Sequence, residues 1–413
     1  MNGACSAEVE PKQLESVNET SDLSIREDTM DHRELVFLAV SHMFNDVSQG
    51  AVPALLPFLV TQRGLTYVAA SGLVLAATVL SSLIQPVLGY YSDRHPIPWL
   101  MPFGVLVGGL GLAFAGVAPT YWLLVFCVLL SGLGVAAYHP EGSRFANYVS
   151  GQRATGMSYF TVGGTIGFSL GPIMITPLVL RFGLPGTLFM VIPSIIVAAG
   201  LVRELPRLSS FRPHAQELKP DTDDNAQWGA FARLTAVIVL RVCLYFSMMT
   251  FVPLYFIRVQ GSSIPEANSA LTLMVLSGAL GSGIGGFIAD RIGLKSLLLG
   301  SLFAIPPLLL GFLVTDGLAR LVCLALVGLT TIGSSSTVVL LGQSYLRSRI
   351  GVASGVTLGA AIGLGGISVP MMGIIADHYG LTTTLYSMFV FPLLAIVLAL
   401  TLPGPAGRTT VTT

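Results

Sequence analysis

Apolar runs of about 20 residues, the length that carries an α-helix across hydrocarbon, recur along almost the whole chain. They fall at 33–60, 67–91, 98–118, 120–146, 154–180 and 184–203, then at 229–258, 266–289, 295–315, 317–345, 350–376 and 382–403. Lipid is the solvent that tolerates such a series. The 413 residues are 53% hydrophobic and 10% charged, too little charge to cover the surface of a soluble protein of this length. The 46 glycines and 24 prolines suit membrane helices, where neighbours satisfy backbone groups freed by a kink. The expected class is an all-α membrane protein of twelve transmembrane helices in two pseudo-symmetric six-helix bundles.

The domain reading follows from polarity. Residues 1–32 are acidic and polar and read as a disordered cytoplasmic tail; without an apolar core they are no cleavable signal peptide. The first bundle covers 33–203, a polar cytoplasmic linker 204–228, the second bundle 229–403, and a short cytoplasmic tail 404–413. Basic residues set the orientation. With both termini inside, the inner face holds Arg94, Arg153, Arg203, Arg207, Arg212, Lys219, Arg233, Arg291, Lys295, Arg347 and Arg349, whereas the outer face holds only Arg63, Arg181, Arg258 and Arg320. A bacterial plasma membrane is the expected location.

The halves repeat. Gly89-x3-Asp93-Arg94 follows span 2 and Gly286-x3-Asp290-Arg291 follows span 8. Gly183-Leu184 and Gly380-Leu381, after spans 5 and 11, are separated by the same number of residues as the two aspartates. Val52-Pro53 and Val252-Pro253 match in spans 1 and 7. Duplicated bundles place a substrate site between them near the midplane. An Asp–Arg cluster at a helix end can latch one conformation and release in the other, which makes Gly89, Asp93, Arg94, Gly286, Asp290 and Arg291 gating candidates. The alternative is a solvated loop that only sets topology.

The G-x3-D-R string in a short loop resembles the signature of major facilitator transporters. Within that superfamily the chain is similar to the fosmidomycin-resistance group of exporters. The resemblance covers 33–403. It rests on Ser41-His42-Met43-Phe44-Asn45-Asp46, Gln85-Pro86-Val87-Leu88-Gly89-Tyr90 and Tyr138-His139-Pro140-Glu141-Gly142-Ser143-Arg144, with Gly342-Gln343-Ser344-Tyr345-Leu346 and Gly351-Val352-Ala353-Ser354-Gly355 in the second half. It implies a secondary transporter whose spans 1, 4, 7 and 10 line a central cavity. Gly167-x3-Gly171-Pro172 in span 5 resembles the superfamily's antiporter motif, and its directional meaning comes from that resemblance alone. Physically, glycine every fourth residue makes a ridge for close helix packing.

Ionisable groups inside a span are expensive, so each is a functional candidate. His42, Asn45 and Asp46 share one helical face, with His42 about 14 Å from the start of its span. His139, Glu141 and Arg144 lie near the inner end of span 4, with Glu141 about 12 Å deep and therefore level with His42. Asp46, Glu141, His42 and His139 form the expected proton-coupling set, because a carboxylate moved between a dry and a charged environment loads and releases a proton and imidazole titrates near neutrality. A polar network that only holds spans 1 and 4 together is the alternative. Arg241 lies deep in span 7 with nothing in that span to neutralise it; its partner is Asp46, Glu141 or an anionic substrate. Asn45, Arg144, Tyr138, Tyr245 and Gln343 complete the substrate candidates.

Two transport readings follow: proton-driven export of small drugs or toxic metabolites, or proton-coupled import of a small anionic nutrient. An enzyme is not expected, since there is no Walker A string, no HExxH pair and no GxSxG elbow. No cofactor is called for. His42 with Asp46 has metal-ligand spacing, yet two further ligands are not evident in the sequence. The expected partners are a small molecule, protons and the lipid bilayer, with no nucleic acid, and the expected unit is a monomer.

Overall fold

The computed structural model describes residues 31–94, 97–149, 154–208, 227–346, 353 and 356–404. Among these residues every regular element is helical. In chain order the helices are α1 (His32–Arg63), α2 (Tyr67–Arg94), α3 (Leu100–Ala115), α4 (Tyr121–Val149), α5 (Ala154–Phe182), a 3-10 turn at Leu184–Met190 and α6 (Val191–Leu208). The second half has α7 (Trp228–Arg258), α8 (Ile264–Ile292), α9 (Leu294–Val314), α10 (Gly317–Gly333), α11 (Ser335–Tyr345), a π turn at Val356–Ala360, α12 (Ala361–Ser387) and α13 (Val390–Leu400). Eight of the described helical segments are long and apolar enough to cross a membrane, and Tyr67–Val79 and Leu100–Ala115 are shorter apolar helices.

Local chemistry sets the ends. Asp31 caps α1, its carboxylate accepting from the backbone N–H of Arg33 at 3.1 Å and Glu34 at 3.2 Å. Ser263 and Glu266 form a reciprocal capping box at the start of α8. The repeated Gly-Leu pairs mark matching turns: Gly183 (φ 69°) follows α5, and Gly380 (φ 83°) interrupts α12. Both backbones sit in the left-handed region that glycine enters at little cost. Gly380 is thus the boundary between the eleventh and twelfth predicted spans.

Several boundaries differ from the sequence reading, two of them with a clear local cause. The tenth span is not one helix: it breaks at Ser334, between α10 and α11. Gly333 and three consecutive serines are weak helix formers there. The sixth helix runs to Leu208 instead of 203, because Glu204 and Arg207 bind the start of α1: Arg33 pairs with Glu204 at 3.6 Å, and Arg207 reaches Asp31 at 2.9 Å and Glu34 at 3.1 Å. Asp93 and Arg94, most of the N-terminal tail, 209–226 of the linker and the last nine residues, all given roles above, lie outside the described residues or side chains.

The two halves repeat in their backbone hydrogen bonds as well. The chain entering α1 donates from Asp31 N to Val149 O, the end of α4, at 3.1 Å. The chain entering α7 donates from Gln227 N to Tyr345 O, the end of α11, at 2.9 Å. Between the halves α2 packs on α12 and α5 on α8, with α1 touching α7 and α8. Near the end remote from the chain termini four hydrogen bonds join the halves. Asp377 accepts from Tyr67 N at 2.8 Å and Val68 N at 3.0 Å, and Asn268 donates to Ala54 O at 3.0 Å and to Thr176 Oγ1 at 2.8 Å.

Candidate functional site

The closest helix pair in the first half builds the site. On α5, a Cβ on Gly163 would lie 2.2 Å from Ala39 O, and one on Gly167 would lie 2.0 Å from Met43 O. One on Gly171 would lie 2.3 Å from the Gly50 carbonyl carbon. The glycine ridge therefore lets α5 lie backbone against backbone along α1. Gly164 sits beside this ridge and faces side chains instead: its Cβ would meet His42 Nε2 at 2.6 Å and Asp46 Oδ2 at 2.8 Å. Antiporter-motif residues Gly167 and Gly171 are thus a packing seam, and its tightness holds the ionisable side chains of α1 against α5.

His42 is fixed on three sides. Its ring stacks on Phe160 of α5 with centroids 4.0 Å apart and 18° between planes, and its Nδ1 lies 2.7 Å from Phe160 O. A carbonyl only accepts, so Nδ1 carries the proton. His139 of α4 is fixed likewise, with Nδ1 2.8 Å from Val135 O. Both Nε2 atoms then present lone pairs to each other at 3.1 Å. Asp46 joins them, Oδ2 3.2 Å from His42 Nε2 and Oδ1 3.4 Å from His139 Nε2. Asn45 donates to Asp46 Oδ1 at 3.0 Å and so orients the carboxylate. His42 and Asp46 are 6% and 7% exposed, while the His139 side chain is 25% exposed and is the cluster's open edge.

Three donor atoms of His42, Asp46 and His139 lie within 4.8 Å of one another, a group able to hold one cation. From the sequence only His42 and Asp46 could be counted together; the fold supplies His139 as a third donor. Phe160 and Gly164, which shape the His42 pocket, were missed. The Gly163-Gly164 pair beside the ridge was their only sequence signal.

The other candidates fall elsewhere. Glu141 is fully buried, yet it is not brought to Asp46: it accepts from Ile97 N at 3.0 Å and pairs with Arg144. Helix α4 carries His139 and Glu141 two residues apart, on different faces. Tyr138 donates to Leu38 O at 3.2 Å and shares a 2.5 Å hydrogen bond with Ser41 Oγ, a buried pin between α4 and α1. Tyr245 and Gln343 are half-buried on α7 and α11. Asp290 and Arg291 are exposed at the end of α8, where Gly286 has open space around it. Arg241 is 5% exposed, donates to Thr331 O in the last turn of α10, and meets no carboxylate at ion-pair distance among the described residues. A small cavity nearer the centre is lined by Gln49, Val52, Pro53, Thr78, Phe168 and Phe246.

This arrangement of helices is shared with known proteins. The Major Facilitator Superfamily profile matches residues 38–370. The chain belongs to that superfamily. It is 30% identical over 381 residues to the MFS-type transporter YfnC of Bacillus subtilis, covering 90% of this chain and 92% of that one. It is 30% identical over 367 residues to the fosmidomycin resistance protein of Escherichia coli, covering 87% and 90%. In structure it resembles an inward-facing bacterial homolog of the human lysosomal transporter Spinster, with TM-score 0.72, 15% identity, and 90% and 97% of the two chains covered. A D-xylose-proton symporter superposes with TM-score 0.69, 14% identity, and 92% and 100% coverage. As a major facilitator the protein is a multi-pass membrane transporter, not an enzyme.

Proposed function

We propose that this protein is a proton-coupled antiporter that exports small drugs or toxic metabolites across a bacterial inner membrane, with both termini in the cytoplasm. One observation carries the proton assignment: the lone pairs of His42 Nε2, His139 Nε2 and the Asp46 carboxylate converge at 3.1–3.4 Å with both ring N–H groups already committed to backbone carbonyls. Without a shared proton the three repel; one proton on either Nε2 turns repulsion into a charge-assisted hydrogen bond. His139 is the route by which that proton enters and leaves. In this reading the bundles 33–203 and 229–403 rock about the linker 204–228, and Glu141 with Arg144 fastens α4 to the chain entering α3. The gating motifs at Gly89–Arg94 and Gly286–Arg291 reset between states.

The outward direction is supported by the relative named for fosmidomycin resistance and by the Gly167-x3-Gly171-Pro172 string. Import of a small anionic nutrient is the second reading, favoured by Arg241. Everted membrane vesicles, acid inside, with labelled fosmidomycin as first probe, separate the two: accumulation in everted vesicles means export, and uptake only in right-side-out vesicles means import. Asp46→Asn and His139→Gln are expected to insert normally and to lose at least about tenfold of the pH-driven rate, a change of about 1.4 kcal/mol in coupling. Undiminished pH-driven transport by both variants rejects the proton assignment.

A further inference from the structure

Three converging lone pairs are more than one proton can satisfy. His42 Nδ1 donates to Phe160 O at 2.7 Å and His139 Nδ1 to Val135 O at 2.8 Å, so each ring keeps a free lone pair on Nε2. The two Nε2 atoms approach to 3.1 Å, and the Asp46 carboxylate turns one oxygen to each ring, at 3.2 and 3.4 Å. A proton on one Nε2 points in one direction and makes one good hydrogen bond, so the remaining acceptor still faces a lone pair. No lysine or arginine ion-pairs with Asp46 among the described residues.

A dication serves all three groups at once. One donor atom from each of His42, Asp46 and His139 lies within 4.8 Å of the others. A tetrahedral ion bound to imidazole nitrogen and carboxylate oxygen at about 2.0–2.1 Å holds its ligand atoms about 3.3–3.4 Å apart, close to the approaches seen here. The donor types select the ion. Two imidazoles with one carboxylate suit zinc and its neighbours, whereas magnesium and calcium take oxygen ligands.

The surroundings match a metal site as well. Metal-ligating histidines commonly donate their second N–H to a backbone carbonyl, and ligating carboxylates are themselves hydrogen-bonded. Both rings here do the first. Asn45 does the second, donating to Asp46 Oδ1 at 3.0 Å and leaving Oδ2 for an ion. Gly164 keeps the space clear, since a Cβ there would lie 2.6 Å from His42 Nε2 and 2.8 Å from Asp46 Oδ2. The Phe160 ring stacked on His42 covers one side, and the partly exposed His139 is the open edge.

We infer that His42 Nε2, His139 Nε2 and Asp46 Oδ2 form a three-ligand site for a transition-metal dication of the Zn2+ class, with a water as fourth ligand on the open His139 side. The inference stands on the geometry of the cluster and goes beyond the transport reading. Where that reading holds, the ion competes with the shared proton.

The test is equilibrium metal binding to the purified full-length protein, free of any affinity tag and stripped with chelator, in lipid nanodiscs at constant pH with no gradient. The probes are Co2+, followed by its visible absorption, and Zn2+ as competitor. One equivalent of Co2+ is expected to bind, to be displaced by one equivalent of Zn2+ and to be left in place by excess Mg2+ or Ca2+. His139→Gln and Asp46→Asn are each expected to weaken binding at least about tenfold. His139→Cys keeps a metal ligand and is expected to add a sulfur-to-cobalt charge-transfer band. No saturable binding of either ion, displacement by Mg2+ or Ca2+ as readily as by Zn2+, or unchanged affinity in both His139→Gln and Asp46→Asn overturns the inference. If these variants do not fold, X-ray absorption at the zinc edge of the natural protein decides: a coordination shell with imidazole scattering at about 2.0–2.1 Å is expected, and one without imidazole overturns the inference. No gradient enters these measurements, so their failure leaves the proton assignment standing, and pH-driven transport that survives in Asp46→Asn leaves the metal site standing.

Discussion

Adding one methyl group at Gly164 tests whether the histidine–aspartate cluster works by position. In Gly164→Ala the new Cβ would sit 2.5 Å from His42 Cε1, 2.6 Å from His42 Nε2 and 2.8 Å from Asp46 Oδ2. Ordinary contacts between heavy atoms are about 3.5–4.0 Å, so the ring must retreat by about 1 Å. It cannot retreat and keep its partners. The 2.7 Å contact to Phe160 O and the 3.1 Å approach to His139 Nε2 would lengthen past useful hydrogen-bond geometry. Losing one such bond in its charged form costs about 1.5–3 kcal/mol, a ten- to hundredfold change in cation affinity at the cluster. The backbone need not move, because the obstructed atoms belong to side chains.

Gly167→Ala is the control. Its Cβ would meet the Met43 backbone at 2.0 Å, so α1 and α5 must part and stability should fall by about 1–3 kcal/mol or more. The expected contrast is a Gly164→Ala protein that stays folded but has lost proton-driven transport, and a Gly167→Ala protein that melts early yet keeps its coupling per folded molecule. Both are read by thermal unfolding in detergent and pH-jump transport in proteoliposomes. A Gly164→Ala protein with natural coupling and pH dependence would refute the claim that the position of His42 carries the proton.

Asp377→Ala removes the carboxylate that accepts from Tyr67 N and Val68 N, and should loosen closure at that end by about 1–2 kcal/mol. A cysteine introduced at Ser71, which faces Gly373 across the halves, should then react about tenfold faster with a water-soluble maleimide, and an unchanged rate would count against a latch there. Asn268→Ala removes the two buried hydrogen bonds to Ala54 O and the Thr176 hydroxyl and should lower stability by about 1–3 kcal/mol, read as an earlier melting transition. Arg207→Ala strips the ion-pair partner from Glu34, which is 1% exposed, and should destabilise the protein in detergent more than Arg33→Ala, whose partner Glu204 is less buried.

What the sequence made legible was set by solvent and period. Hydrocarbon demands apolar runs of fixed length, so the helices from His32–Arg63 to Leu294–Val314, the sixth apart, begin and end within a few residues of the expected spans. The duplicated strings pointed to repeated halves, and the paired backbone bonds Asp31–Val149 and Gln227–Tyr345 carry the same repeat. Helical spacing placed His42, Asn45 and Asp46 together. It could not choose between His139 and Glu141, because depth along α4 was known and the helix's rotation was not. The rotation is set by the Tyr138 pin to Ser41 and by the hydrogen bond from Ile97 N to Glu141. The break at Ser334 was equally hidden, since residues 317–345 read as one continuous apolar run.

The placement of the two charged sites constrains how transport can be coupled. The histidine–aspartate cluster belongs to the first half and Arg241 to the second, and no ion pair joins them among the described residues. A proton and an anion bound there cannot act on each other by direct contact; each must instead bias the same closure of one half on the other. The energies are commensurate. The four inter-half hydrogen bonds at Asp377 and Asn268 contribute about 0.5–1.5 kcal/mol each, so the closed end is held by about 2–6 kcal/mol of polar contact. Reversing a two-state population from 1:99 to 99:1 takes about 5.5 kcal/mol of differential binding. A charge-assisted proton at His42 and His139 together with an anion on Arg241 supplies energy of that order, whereas a closure built from a broad ion-pair network would need several times as much. The polar part of the closure is therefore small enough for two sites in separate halves to bias it.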